Sequence, residues 1–332
     1  MQRALIVLKW IFGVALFCGA MQLCGGNASA QVCTINSVSS LVLASSFDPV
    51  ALTAGTQISS TVQGTCSNLN NPGDVRLTIN NGSNFQSGSA FRAMLCGACA
   101  GPNPFNLLQY QIYESDGATV FPASPSFVSV SCANPTNCKS ATGSTFTYTF
   151  FGQIVTPVTS TSVNDSQIGS YSDGGLSIGA TGKGATAVNA AIPTTASVGQ
   201  FCTISTTTSV GFGAYDPVTV SAVTNATGKV TVTCTRGNSG VTLTLSGGSN
   251  AAHATSPQTR AMVGAAHGDY ISYDIFETSA YATRYPTTAV AQTVSGGITT
   301  PSVVSLFGQI AAAAQNVSVD SYSDSVSATV NF

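Results

Sequence analysis

The sequence predicts an all-β protein built from two tandem copies of one domain, and three observations predict it. Glycine, serine, threonine and valine dominate the 332 residues, and no long 3.6-period apolar segment follows residue 30. Such a chain is expected to form short strands and turns. It closes on Val326, Ala328, Val330 and Phe332 alternating with polar residues, the period-2 pattern of a strand with one buried face. Self-comparison, finally, finds the same landmarks twice in the same order.

Charged residues make up only 7% of the chain and its net charge is −2. That leaves no electrostatic footprint for nucleic acid or an anionic membrane surface. Residues 1–30 read as a secretory signal. Arg3 and Lys9 precede the apolar run Trp10 to Leu23, and Ala28-Ser29-Ala30 has the small-x-small form of a cleavage site. Cleavage there would discard Cys18 and Cys24 and start the protein at Gln31. The remaining cysteines are even in number and destined for an oxidising compartment, where disulfides persist.

The first copy opens with Gln31-Val32-Cys33-Thr34-Ile35, which returns as Gln200-Phe201-Cys202-Thr203-Ile204. Phe47-Asp48-Pro49-Val50 matches Tyr215-Asp216-Pro217-Val218, and Val75-Arg76-Leu77-Thr78-Ile79 matches Val241-Thr242-Leu243-Thr244-Leu245. Arg92-Ala93-Met94 recurs as Arg260-Ala261-Met262, and Phe151-Gly152-Gln153-Ile154 as Phe307-Gly308-Gln309-Ile310. Cys33 and Cys66 lie 33 positions apart, and Cys202 and Cys234 lie 32 apart. One disulfide is therefore expected at the same place in each copy. The expected domains are residues 31–193 and 194–332.

The first copy is longer at three places: Met94 to Tyr110, Glu114 to Phe151, and Phe151 to Tyr171. The first two insertions carry Cys96 with Cys99 and Cys132 with Cys138. Local pairing of each is the expectation, and cross-loop pairing stays open. Their remaining content is apolar and proline-rich, including Leu95, Phe105, Leu107, Leu108, Phe121, Phe127 and Val128. Loops held on a rigid scaffold are where binding usually sits, so these seven side chains are the candidate contact surface. Folding back as a satellite core is the competing reading. The third insertion, around Val155 to Ile168, is mostly threonine, serine and valine. After it, Thr186, Val188, Ala190 and Ile192 alternate with Ala187, Asn189 and Ala191. Residues 184–192 are thus expected to add a strand to the first copy. The second copy has no equivalent before Phe332, so Val326 to Phe332 is expected to leave a sheet edge uncovered.

No constellation argues for an enzyme, a cofactor or a metal. Gly175-Leu176-Ser177-Ile178-Gly179 fits the pattern of a nucleophile elbow, but no helical pattern follows it and both histidines, His253 and His267, lie in the other copy. Cys96-x-x-Cys99 lacks a second short spacing for zinc and reads as a structural disulfide. Asp48, Asp216, Asp173 and Asp324 read as turn and strand-start residues.

From Cys202 through Gly211-Phe212-Gly213-Ala214-Tyr215-Asp216 and Val232-Thr233-Cys234-Thr235 to Tyr322-Ser323-Asp324, the second copy resembles the spore coat protein U domain. That family is shared by subunits of archaic chaperone–usher pili. The first copy resembles it more weakly, because Leu41 to Phe47 lacks the Phe-Gly-x-Tyr form. The resemblance implies tandem immunoglobulin-like β-sandwiches, the C-terminal one lacking its last strand. It also implies a periplasmic chaperone that first fills the gap, an outer-membrane usher, and an adjacent pilin subunit whose extension then replaces the chaperone. The acceptor edge would be Val326, Ala328, Val330 and Phe332. Only Gln31 and Val32 would precede Cys33 after cleavage, so the chain is expected to accept a strand without giving one. The expectation is a two-domain tip adhesin, secreted through the periplasm to the pilus tip at the cell surface. Its loops would attach cells to a hydrophobic or host surface. A coat-like or minor pilus subunit without a ligand is the alternative.

Overall fold

The computed structural model describes residues 30–71, 73–85, 90–99, 105–122, 126–182, 187–219, 221–285, 290–291, 296–313 and 315–332. Apart from Ala30, the expected signal segment falls outside them. So do the insertion segments 100–104 and 123–125, and Thr186.

The first sandwich is built from β1 (Val32–Val38), β2 (Leu41–Phe47), β3 (Ile58–Ser67), β4 (Val75–Ile79), β5 (Arg92–Cys96) and β6 (Leu107–Tyr113). β7 (Val128–Val130), β8 (Ser144–Ile154), β9 (Gly169–Asp173), β10 (Ser177–Thr181), β11 (Val188–Ala191) and β12 (Thr194–Val198) complete it. One sheet runs β1-β3-β8-β6-β5-β9-β12-β2, and the other runs β11-β10-β4-β7. Period-2 patterns put one side of each strand inward. Leu41 and Leu43 of β2, Leu77 and Ile79 of β4, and Phe146 and Phe150 of β8 meet in one closed core.

The second sandwich repeats the plan with β13 (Cys202–Thr208), β14 (Val223–Cys234), β15 (Thr242–Leu245), β16 (Arg260–Gly264) and β17 (Tyr270–Phe276). It continues with β18 (Val290–Ala291), β19 (Ser302–Ile310), β20 (Tyr322–Ser323) and β21 (Ala328–Asn331). Its sheets run β13-β14-β19-β17-β16-β20 and β18-β15-β21. Val230, Leu243, Leu245, Ile275 and Leu306 make a separate core.

The described cysteines form four disulfides: the ladder pairs Cys33–Cys66 and Cys202–Cys234, and the local pairs Cys96–Cys99 and Cys132–Cys138. Cys33 faces Cys66 in the β1–β3 ladder, and Cys202 faces Cys234 in the β13–β14 ladder. The Cys132–Cys138 bridge closes one helical turn, α1 (Pro135–Cys138). Asn134 caps it by accepting from the Thr136 and Asn137 amides at 3.1 and 3.2 Å, and proline begins it, as fits a helix start. The repeated Phe-Gly-Gln-Ile also has a packing reason. A Cβ on Gly152 would collide with Leu43, and one on Gly308 would collide with Val210 and Phe212. The glycine makes room for β2 in the first sandwich and for Val210 and Phe212 in the second.

The structure changes the sequence expectations at two places. The strand expected over residues 184–192 is present as β11, and a second completing strand, β12, follows it. Its inward alternation continues through Thr194, Ala196 and Val198, all buried, past the expected boundary at residue 193. These small, weakly apolar residues carry too little hydrophobic contrast to show a strand in sequence. The candidate contact residues also scatter. Leu107, Leu108 and Phe121 are buried. The two leucines open β6, and Phe121 packs edge-on against Tyr148 and Phe150. Leu108 and Phe121 belong to the first core and Leu107, next to Leu108 in sequence, is buried too, so none of the three faces solvent.

Candidate functional site

The two sandwiches share strand order and matching ladder registers, so each shows what the other lacks. In the first, one continuous segment crosses from sheet to sheet. β11 pairs antiparallel with β10, matching Ala190 to Ile178 and Val188 to Ala180. The chain then turns at Ile192 and Pro193. β12 enters the other sheet between β9 and β2, antiparallel to β9 and parallel to β2. Val188 and Ala190 are half-buried, and Ile192, Thr194, Ala196 and Val198 are buried, so one edge of the segment seals the core.

The second sandwich has no strand in either position among the described residues. β20 is the edge of its sheet and β21 the edge of the other. The segment equivalent to β2, residues 209–216, forms no strand. Register identifies the counterparts. Ile178 pairs with Ile79 as Ala328 pairs with Leu245, and Ala180 pairs with Leu77 as Val330 pairs with Leu243. Ile178 and Ala180 are fully buried, whereas Val326, Ala328 and Val330 are only half-buried and Phe332 is 50% exposed. What remains is a groove of about 590 Å³. Val210 and Phe212 stand on one side, Tyr322 to Ala328 on the other, and Val230, Met262, Ile275 and Leu306 form its floor.

The far wall is held rigidly. Asp324 accepts hydrogen bonds from the Tyr273 hydroxyl at 2.8 Å, the Ser249 amide at 2.9 Å and the Asn250 side-chain amide at 3.2 Å. Ser327 and Ser246 tie the same strand to the same turn, at 2.8 and 2.9 Å. The Arg260 guanidinium, wholly buried, donates to the Ser246 carbonyl at 3.1 Å. Burial, then the Asp324 carboxylate, pushes the Tyr273 hydroxyl far above its ordinary pKa, so it stays a donor. The first sandwich carries the same network, with Tyr110 donating to Asp173 at 2.8 Å and Arg92 to the Asn80 carbonyl at 2.9 Å. There it is buried by the completing segment, and in the second it lines an open groove. An apolar floor, two unpaired strand edges and a rigid polar wall suit an extended peptide: ladder hydrogen bonds give affinity, and alternate side chains fill the floor.

Of the other predicted residues, Leu95 and Phe127 are exposed at 38% and 41%. The Arg76 guanidinium lies 4.2 Å over the Phe127 ring, and Val128 is half-buried beside it. Phe105 does not face outward. Its ring stacks under Arg236 of the second sandwich at 3.7 Å. Ser177 opens β10 inside a sheet, not on a strand-to-helix turn, and both histidines sit in the second sandwich. The described residues hold no group of three or more His, Cys, Asp or Glu side chains able to take a metal ion.

The sequence profile of the Spore Coat Protein U domain matches residues 21–174 and again residues 188–329. No curated protein matches the chain by sequence. In fold the chain is similar to a chain of the CsuC–CsuE chaperone–tip adhesion subunit pre-assembly complex from archaic chaperone–usher Csu pili of Acinetobacter baumannii. The TM-score is 0.51 at 14% identity, over 91% of this chain and 100% of that one. A further match is the CupB6 tip adhesin from Pseudomonas aeruginosa, with TM-score 0.29 at 9% identity over 90% of this chain and 93% of that one.

Proposed function

The chain belongs to the Spore Coat Protein U domain family, and from that membership and the groove we propose that it is the two-domain tip adhesin of a chaperone–usher pilus. The observation that carries this reading is the contrast between the sandwiches: one is sealed by its own residues 188–198, and the other is open at the same place. The second sandwich joins the fibre by accepting a strand in that groove, from a periplasmic chaperone first and from an adjacent pilin subunit after passage through the outer-membrane usher. The first sandwich, already complete, is free to face outward. It attaches the cell to a hydrophobic or host surface. No catalytic step is required of it.

Of the candidate contact residues, Leu95 and Phe127 stay exposed and best carry the contact surface, together with Val120, 50% exposed, from the same insertion as Phe127. Burying such groups is worth about 1.5–3 kcal/mol each, and many tips on one cell multiply a weak contact through avidity. The test is a Leu95→Ser, Phe127→Ser double variant in piliated cells. Lost attachment to an apolar surface, with normal fibre assembly, supports the adhesin. Unchanged attachment favours a structural subunit without its own ligand.

A further inference from the structure

The third insertion of the first sandwich, around Val155 to Ile168, is mostly polar in sequence and carries none of the candidate contact residues. It turns toward the second sandwich. Its neighbours fasten it to its own domain first. Asn164, in the left-handed region at φ 54°, accepts from the Gln109 amide at 2.6 Å and donates to the Gln109 and Val155 carbonyls at 3.1 and 2.6 Å. Ser166 donates to the Leu107 carbonyl at 2.7 Å, and the Gln167 amide to the Phe105 carbonyl at 3.0 Å.

Between those anchors stands Asp165, its side chain only 1% exposed. Every side-chain bond found for it reaches the other domain. It accepts from the Arg236 guanidinium at 2.6 Å, from the Ile298 amide at 2.8 Å, from the Thr299 amide at 3.4 Å, and from the Thr299 hydroxyl. Arg236 in turn donates to the Gly296 carbonyl and to the Thr299 hydroxyl, and its guanidinium lies over the Phe105 ring. The backbone adds a parallel bridge between Gln167 and Arg236, with the Ile168 amide donating to the Arg236 carbonyl at 3.0 Å. The receiving side is shaped for this loop. Gly297 adopts φ +69°, and a Cβ there would collide with the Asp165 carboxylate. Gly237 adopts φ +80° and lies against Gln167.

We propose that Asp165 and Arg236 form an interdomain clamp that makes the two sandwiches move as one body, with Asp165 as its positioning residue. Only three residues, 199–201, separate β12 from β13, but a short linker limits reach without fixing angle. A buried carboxylate with charge-assisted bonds to a guanidinium and to amides demands one geometry, because any rotation strands the charge away from its partners. The copy-specific position of the insertion fits this role: the matching loop of the second sandwich binds within its own domain, where Asp320 accepts from the Ala266 and His267 amides at 2.7 and 3.0 Å. Under the tip reading, force on the first sandwich would pass to the fibre through this clamp. The clamp itself does not depend on that reading.

The test measures interdomain distance in the full chain. Ketone-bearing residues at exposed Lys139 and Val319 take spin labels without touching the disulfides, and pulsed dipolar spectroscopy reads the distribution. The native chain is expected to give a single narrow peak. Asp165→Ala and, separately, Gly297→Ala should lose it to a broad distribution, while amide exchange in β3 and β14 stays protected. Asp116→Ala, whose bonds remain within its own turn, should keep the narrow peak. A broad native distribution, or a peak unchanged by Gly297→Ala, overturns the clamp. If Asp165→Ala unfolds its own domain, Gly297→Ala decides.

Discussion

Tyr110 and Tyr273 occupy equivalent places and make the same 2.8 Å hydrogen bond, yet they should not be equally valuable. Asp173 is 2% exposed, whereas Asp324 is half-buried at the groove. Removing a donor from a buried carboxylate costs the desolvation of that group, and water can replace a donor lost at an open surface. Tyr110→Phe is therefore expected to destabilise the first sandwich by about 2–3 kcal/mol. Tyr273→Phe should cost the free second sandwich about 1 kcal/mol or less. Denaturant titration followed by amide exchange in each domain separates the two. Equal losses would mean that the groove shields Asp324 as well as the completing segment shields Asp173. The duplicated Tyr-Ser-Asp motif was legible in sequence as a repeat. Its partners were not, because Ser249 and Ser83 come from turns distant in sequence that only the fold brings to the carboxylates.

At the scale of elements, residues 188–198 decide whether a sandwich is closed. Ile192 is 1% exposed at the turn where that segment changes sheets. Ile192→Ala should destabilise the first sandwich by about 2–5 kcal/mol and leave the second untouched, as thermal melting with domain-resolved exchange would show. A loss shared by both would instead mean that the segment supports the junction. The strands with strong apolar alternation, such as β4, β8 and β15, could be read from sequence, as could the disulfides of β1–β3 and β13–β14. The completing segment was read only as far as Ile192, because threonine and alanine fill buried positions without announcing them. The insertions misled for a related reason. Leu107, Leu108 and Phe121 have the composition of an exposed patch, and composition does not say which face of β6, or which side of a loop, an apolar residue takes. Asp165 gave no signal either: a lone carboxylate in a polar loop looks solvated until its partner, 71 residues away, is in view.

In the whole molecule, one sandwich is sealed and its duplicate is open, so the chain carries its own control. A single experiment can use it: hydrogen–deuterium exchange of the full chain, alone and with a synthetic peptide of alternating apolar residues. The account predicts slow exchange along β9 and β10 in both samples. Along β20 and β21 it predicts fast exchange without peptide and protection with it, since an unpaired edge gains its ladder only when a strand is supplied. If β20 and β21 are already as protected as β9 and β10, or stay unprotected when peptide is present, the second sandwich is not a strand acceptor.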